Sequence, residues 1–282
     1  MSDAFEIDSK NFPPDPPQDG ITYSTYLKVD ELLALQQPIS KPAVHDEFLF
    51  ILIHQVYELW FRQLLHELDA VKDAFRSDKV LVGHKIYRRI IAIQRVLFEQ
   101  IKVLETMTPE DFNDFRSVLN PASGFQSAQF RELEALCGLK DPRFLKLHRK
   151  DPEVHARLQK RLNESSIYDT FIALLSRRGF RVGTKAPEPE SEASQALVDA
   201  LKTIYRNTDS HYDLYLMCEY LIESDELFQL WRFGHVKMVE RTIGARVGTG
   251  GSPGAKYLRS TLGRTFFPEL WEVRSQLGSD TW

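Results

Sequence analysis

The chain has 282 residues, a net charge of −4 and 43% hydrophobic residues, enough to bury a substantial core as one domain or two closely packed ones. That charge balance gives no basic field for nucleic acid or an anionic membrane. The only cysteines are Cys137 and Cys218, and no C-x-x-C occurs. Disulfide frameworks and Cys-ligated zinc or iron–sulfur centres are therefore disfavoured, and a reducing, cytoplasmic setting is expected.

Residues 1–20 are rich in proline and acid, which predicts an extended or disordered segment with no apolar signal core. Residues 21–282 read as a single all-α domain. The stretch Thr22 to Leu27 leads into a helix expected over Asp30 to Gln36, and a polar loop with Pro38 and Pro42 follows. His45-Asp46-Glu47 starts a long helix to about Phe75. It is apolar nearly all round, which predicts a place in the middle of a bundle. Its apolar run Phe48 to Ile53 is far too short to span a bilayer.

A second long helix is expected over Val82 to Thr106. Thr108-Pro109-Glu110-Asp111 is a helix start, with proline in the first turn and acids at the positive end. That helix stops near Asn120-Pro121, and Ser123-Gly124 opens the next, through Phe125 to Cys137. From Asp141 to Arg178 the pattern predicts short charged surface helices. Residues 183–194, GTKAPEPESEAS, read as a surface linker. A helix from Gln195 to about Leu221 precedes the stretch Phe228 to Gly254. There, Leu230, Phe233, Val236, Met238/Val239 and Ile243 recur at helical spacing with basic residues opposite, until the glycines and Pro253 end the helix. Two short helices, Ala255 to Leu262 and Pro268 to Leu277, complete the chain. No βαβ alternation, period-two strand or fixed repeat occurs.

Four features offer chemistry. His235 sits within an apolar helix, and His54 shares a helical face with Phe50, four residues before it. A buried imidazole in such company is costly unless hydrogen-bonded. Glu58, one turn on, reads either as a metal co-ligand or as the partner of Arg62. Arg116 falls on one face with Phe112 and Phe115, and a guanidinium suits bidentate capture of a carboxylate. The loop Gly248 to Gly254 exposes N–H groups and the Thr249 hydroxyl, suited to a small anion, but lacks the lysine and preceding strand of a P-loop. Each has a plainer reading: a satisfied core histidine, an arginine reaching solvent, a helix stop. Di-iron bundles need paired Glu-x-x-His and zincins need His-Glu-x-x-His, and neither occurs. The residues alone allow an all-helical protein with a planar cofactor and an amino-acid-like ligand without singling it out.

Six motifs occur together in one order: TYSTYLKVDELL, HDEFLFILIHQVYELWF, LETMTPEDFNDFR, NPASGFQS, FQLWRFGH and GTGGSPG. In this the chain resembles the tryptophan 2,3-dioxygenases over about Thr22 to Val273. The resemblance implies an all-α helical-bundle haem protein with no significant sheet, which opens the indole ring of L-tryptophan with O2 to N-formyl-L-kynurenine. His235 matches the axial ligand of a ferrous haem b, and His54 the distal histidine that hydrogen-bonds the indole N–H. Phe50 matches the aromatic packed on the substrate, and the turn between it and His54, Ile51 included, matches pocket wall. Arg116 matches the carboxylate partner, with Phe112 beside it, and Thr249 the loop threonine over the amino-acid end. Ser123 and Gly124 match the segment beside the haem. Tyr23, Tyr26 and Leu27 match residues that reach a neighbouring subunit's pocket in a homotetramer built as a dimer of dimers. Three positions depart from the pattern: Phe112 for a tyrosine of some bacterial members, Gly234 for a larger polar residue, and Pro253 for serine.

Overall fold

The computed structural model describes residues 20–251 and 254–278. The segment expected to be extended lies, except for Gly20, outside the described residues, as does Pro253. The all-α expectation holds: the described residues form helices, short 3-10 turns and loops, with no strand among them. In order these are α1 (Tyr23–Leu27), α2 (Val29–Leu33), α3 (His45–Arg76), α4 (Val80–Leu104), α5 (Pro109–Arg116), α6 (Ala128–Leu136), α7 (Pro152–Asn163), α8 (Ile167–Arg177), α9 (Glu192–Arg206), α10 (Thr208–Ile243), α11 (Ala255–Arg259) and α12 (Pro268–Gln276).

Three long helices make the frame. The α3–α4 pair is antiparallel, tied by Tyr57 Oη donating to the Leu97 carbonyl at 2.8 Å and by Arg89 bonded to Glu67 at 2.7 Å. The α4–α10 pair is parallel, with Gln94 donating to the Ser224 carbonyl and Arg241 paired with Glu105. The two helices approach closely at Gly234, where an added Cβ would lie 3.1 Å from Ile101 Cδ1 and 3.2 Å from Phe98 Cε2. This accounts for a glycine beside His235. Gly234→Val should push α10 off α4 and destabilise by about 1–3 kcal/mol. The measurement is the urea midpoint, and an unchanged midpoint would show that the seam tolerates bulk.

Several helix ends follow the sequence by known capping rules. Thr108 and Asp111 form a reciprocal cap at the start of α5, with Pro109 in its first turn. Ser166 and Asp169 do the same for α8. Buried Glu47 accepts from the Ile39 and Ser40 amides at 2.8 and 3.0 Å, pinning the loop before α3.

Some expectations are corrected. The helix foreseen over Asp30 to Gln36 is only α2, preceded by the one-turn α1. Ser123 to Cys137 is two pieces, a 3-10 turn at Gly124–Gln126 and then α6, capped by the Ser127 side chain. The middle third is not all surface: Ile167, Phe171, Leu174 and Leu175 of α8 are fully buried in the main core. The charged α7 beside it hides an apolar helix of only eleven residues. The linker ends sooner than residue 194, because Ser191 caps α9 and Ser194 is buried, donating to Glu269 at 2.8 Å. The break in the next helical stretch falls at Asn207, and α10 then runs from Thr208 to Ile243 with a kink at His211, whose backbone leaves helical geometry. Leu230 and Phe233 of α10 and Phe48, Leu52 and Leu59 of α3 are exposed, so neither apolar stripe is fully covered within one chain.

Two apolar clusters result. The larger spans α3, α4, α8, α9, α10 and α12 and holds both thiols, buried and without a disulfide. Burial pushes the thiols of Cys137 and Cys218 well above the usual range. The smaller gathers Ile53, Ile101, Leu104, Phe112, Phe115 and Met238. Tyr57 and Trp231 touch both. Asp225, a buried residue of α10, accepts from the Phe266 and Phe267 amides and from Trp271 Nε1, and so fixes the start of α12. Among the described residues no helix is long and apolar enough to cross a membrane.

Candidate functional site

A cavity of about 270 Å³ opens where the two clusters meet. One wall is a stripe of α3, Phe50, His54, Tyr57 and Phe61, spaced four, three and four apart. Another is a stripe of α10, Trp231, His235, Met238 and Thr242, at the same spacing. Side chains three and four apart share a helix face, so each helix presents one histidine to the same space.

His54 Nδ1 lies 2.7 Å from the Phe50 carbonyl, and the two rings are 4.1 Å apart. A carbonyl can only accept, so Nδ1 carries the proton and Nε2 keeps its lone pair. Burial lowers the His54 pKa, and the Phe50 carbonyl and nearby Glu58 offset this in part. Neutral imidazole is thus the form in place.

His235 is also held neutral: burial pushes its pKa down to about 4. It stacks on Trp231 at 5.5 Å and 23°. Among the described residues no group hydrogen-bonds it. A half-buried, neutral imidazole that faces a cavity and has no hydrogen-bond partner among the described residues could serve as a ligand to a metal or haem iron. Among the described residues no group of three or more His, Cys, Asp or Glu is arranged for a metal ion.

At the mouth, Phe112 and Phe115 are buried edge to face at 5.4 Å, and Phe50 packs against both. Arg116 leaves this aromatic wall, as its spacing foretold, and its Nη2 donates to the Val247 carbonyl at the root of the glycine loop. Thr249 Oγ1 donates to the Ala122 carbonyl at 2.7 Å. Beside it Gly250 meets Ser123 so closely that an added Cβ would fall 2.5 Å from the serine Cβ. Only glycine permits that contact, so the loop and the Pro121–Gly124 turn meet almost backbone to backbone.

Sequence reasoning placed His54, His235, Phe50, Phe112, Arg116, Ser123, Gly124 and Thr249, and all eight line this one cavity. Ile51 does not line it. Tyr23, Tyr26 and Leu27 are 77%, 74% and 46% exposed and do not line their own chain's cavity. Glu58 lines the cavity and is bonded by Gln129 at 2.8 Å rather than by Arg62. The missed residues are charged and buried. Arg232, expected on a basic outer face, is 4% exposed and paired with Glu134 at 3.1 Å. Arg131 is 8% exposed. The available signal was Arg232 lying three residues before His235, hence on its face of α10.

The model of the tryptophan 2,3-dioxygenases matches residues 14–181 and 190–277. The chain belongs to the tryptophan 2,3-dioxygenase family. A tryptophan 2,3-dioxygenase of Herpetosiphon aurantiacus is 48% identical over 261 residues, covering 91% of this chain and 98% of that one. One from a Nocardioides species is 46% identical over 262 residues, 91% and 95% of the two chains. One from Myxococcus xanthus is 43% identical over 266 residues, 91% and 89%. The gap in the family match, between residues 181 and 190, falls in the proline- and glutamate-rich linker, the one internal stretch this member does not share with the family model.

Proposed function

We propose that this chain cleaves the C2–C3 bond of the indole of L-tryptophan with O2, giving N-formyl-L-kynurenine, with haem b held on His235. The observation that carries the reading is the pair of neutral histidines on facing stripes of one cavity, in a chain of this family. When bound, ferrous haem supplies the oxygen chemistry.

The chain's own residues do the rest. His235 would hold the haem iron through its neutral imidazole, with no proton to lose first. His54 Nε2 accepts from the indole N–H and aligns the ring, a role its tautomer supports. Phe50, fixed against Phe112 and Phe115, stacks on the indole and excludes water. Arg116 and Thr249 receive the carboxylate and ammonium ends, with Ser123 and Gly124 forming the adjoining turn. Phe112 leaves no hydroxyl beside Arg116, so the guanidinium carries the carboxylate with less help.

Residues 21–282 act as a single domain, a reading supported by Tyr57 and Trp231 belonging to both apolar clusters. The assembly is a homotetramer, a dimer of dimers, in the cytoplasm. Its support is the exposed apolar surface of Tyr23, Tyr26, Leu27, Leu52, Leu59 and Phe233, which a partner subunit would cover.

The deciding experiment reduces haem-loaded protein without air, adds L-tryptophan, then O2, and weighs the product. A gain of two oxygen atoms is expected. A gain of one would make the protein a monooxygenase on the same site residues, and no turnover would refute the assignment. His54→Ala should keep haem, since His54 is not the ligand, yet lower turnover roughly 10²-fold or more through lost alignment. Loss of haem in that variant would show that His54 had been misassigned.

A further inference from the structure

The basic stretch between α6 and the end of α7 is used neither by the cavity chemistry nor by the core. Residues 140–160 hold seven Lys or Arg against three Asp or Glu, in a chain whose net charge is −4. Two of those acids are committed locally: Asp141 to Arg143 at 2.6 Å, and Asp151 to the Val154 amide at the start of α7. Arg157 is neutralised by Glu132 at 2.6 Å. Lys146, Arg149, Lys150 and Lys160 are exposed, and none has an acid partner among the described residues. A local positive field thus stands on an acidic protein.

The face has a position as well as a charge. The 3-10 stretch Pro142–His148, which carries Lys146, packs against α7 and buries one aromatic side chain, Phe144. That ring lies 5.3 Å from the Phe125 ring and 3.9 Å from the Arg131 guanidinium, and Phe125 and Arg131 both line the cavity. A single aromatic layer therefore separates the basic surface from the cavity. Leu147 is the one large apolar side chain exposed in this stretch. A charged face with so little apolar area suits brief encounters steered by charge, not a permanent interface.

We propose that the face bearing Lys146, Arg149 and Lys150 is the docking surface for an acidic electron-carrier protein, which returns ferric haem iron to the ferrous state. This rests on the haem reading above and names a partner for that site. The donor gives one electron: its reduced cofactor is oxidised by one electron as iron(III) becomes iron(II), and no bond forms or breaks. Charge complementarity sets the sign of the partner, and the thin wall over the cavity sets its task. L-Tryptophan carries no net charge to be steered, and the residues proposed to receive it, Arg116 and Thr249, are not part of this face.

The test mixes ferric, haem-loaded protein with photoreduced flavodoxin, an acidic flavin carrier, in an anaerobic stopped flow and follows the Soret band to the ferrous form. Photoreduced deazariboflavin, small and uncharged, is the control donor. Two acidic proteins repel overall, so a rate set by net charge would rise with salt. A rate set by the basic face should instead fall, roughly tenfold or more from low to physiological ionic strength, while the deazariboflavin rate stays flat. Lys146→Glu/Lys150→Glu should slow flavodoxin roughly tenfold at low salt and leave deazariboflavin unchanged. Lys85→Glu/Arg88→Glu makes the same charge change on the exposed face of α4 and should keep both rates within about twofold of wild type. The wild-type salt dependence needs no variant to fold, and the thermal midpoint of each variant is read alongside. A flavodoxin rate that rises with salt or ignores it would overturn the proposal, as would equal slowing by the two double variants. A labelled oligonucleotide is titrated at the same salt. Binding that Lys146→Glu/Lys150→Glu abolishes, with the flavodoxin rate left at the wild-type value, would make this a nucleic-acid surface and the proposal wrong. Wild type that takes up no haem would sink the haem reading and this proposal with it. Salt-sensitive reduction of a haem protein that never turns over L-tryptophan would uphold the docking face and refute the substrate reading alone.

Discussion

His235→Ala is expected to yield a folded protein that takes up no haem with an imidazole-ligated spectrum and shows no turnover of L-tryptophan. Burial holds His235 neutral, with a pKa near 4, and no group among the described residues hydrogen-bonds it. Its loss therefore removes a stacking contact with Trp231 and little else from the apoprotein, about 1 kcal/mol or less. Function should fall completely because no second histidine lies on the α10 stripe. The checks are a Soret titration, the product assay, and the thermal midpoint of the apoprotein. A variant that still binds haem with the wild-type spectrum and turns over would move the ligand to another residue.

Arg116→Ala should raise KM for L-tryptophan roughly 10- to 150-fold with haem binding intact, a charge-assisted pair being worth about 1.5–3 kcal/mol. Phe112 supplies no hydroxyl to share the substrate carboxylate, which places the effect toward the upper part of that range. Arg116 also holds the Val247 carbonyl, so the substitution loosens the root of the glycine loop as well. Tryptamine separates the two contributions. Lacking a carboxylate, it should respond only to the loop, and a KM that rises equally for both compounds would assign Arg116 a purely structural role. An unchanged KM for L-tryptophan would remove it from the site.

The legible parts of this protein are those set by local rules. The Thr108–Asp111 cap, the proline after it and the stripe through Phe50 and His54 are each written within a few residues, and the structure follows them. What escaped depended on partners distant in sequence. The α8 segment DTFIALL is short and lies among charged neighbours, so only its contacts with the main core reveal it as interior. Arg232 carries a charge that composition assigns to the surface, and its burial is made tolerable by Glu134, 98 residues earlier. Phe233 errs the other way: it is apolar, at helical spacing, and exposed. For the site, the residues alone left His54 and His235 open between satisfied core histidines and ligands of a planar cofactor. The six ordered motifs gave them their roles, and the fold brought them to one cavity.

The two thiols have a use of their own. Cys137 and Cys218 lie within the main core, and burial keeps both protonated at neutral pH. A thiolate is the form that alkylating reagents attack, so the native protein offers them almost nothing. Their modification must wait until the core opens. Labelling kinetics with a small thiol reagent therefore report the frequency of cooperative opening, not the motion of loops at the cavity mouth. The chain carries its own clock for global unfolding, one that needs no substitution to install it.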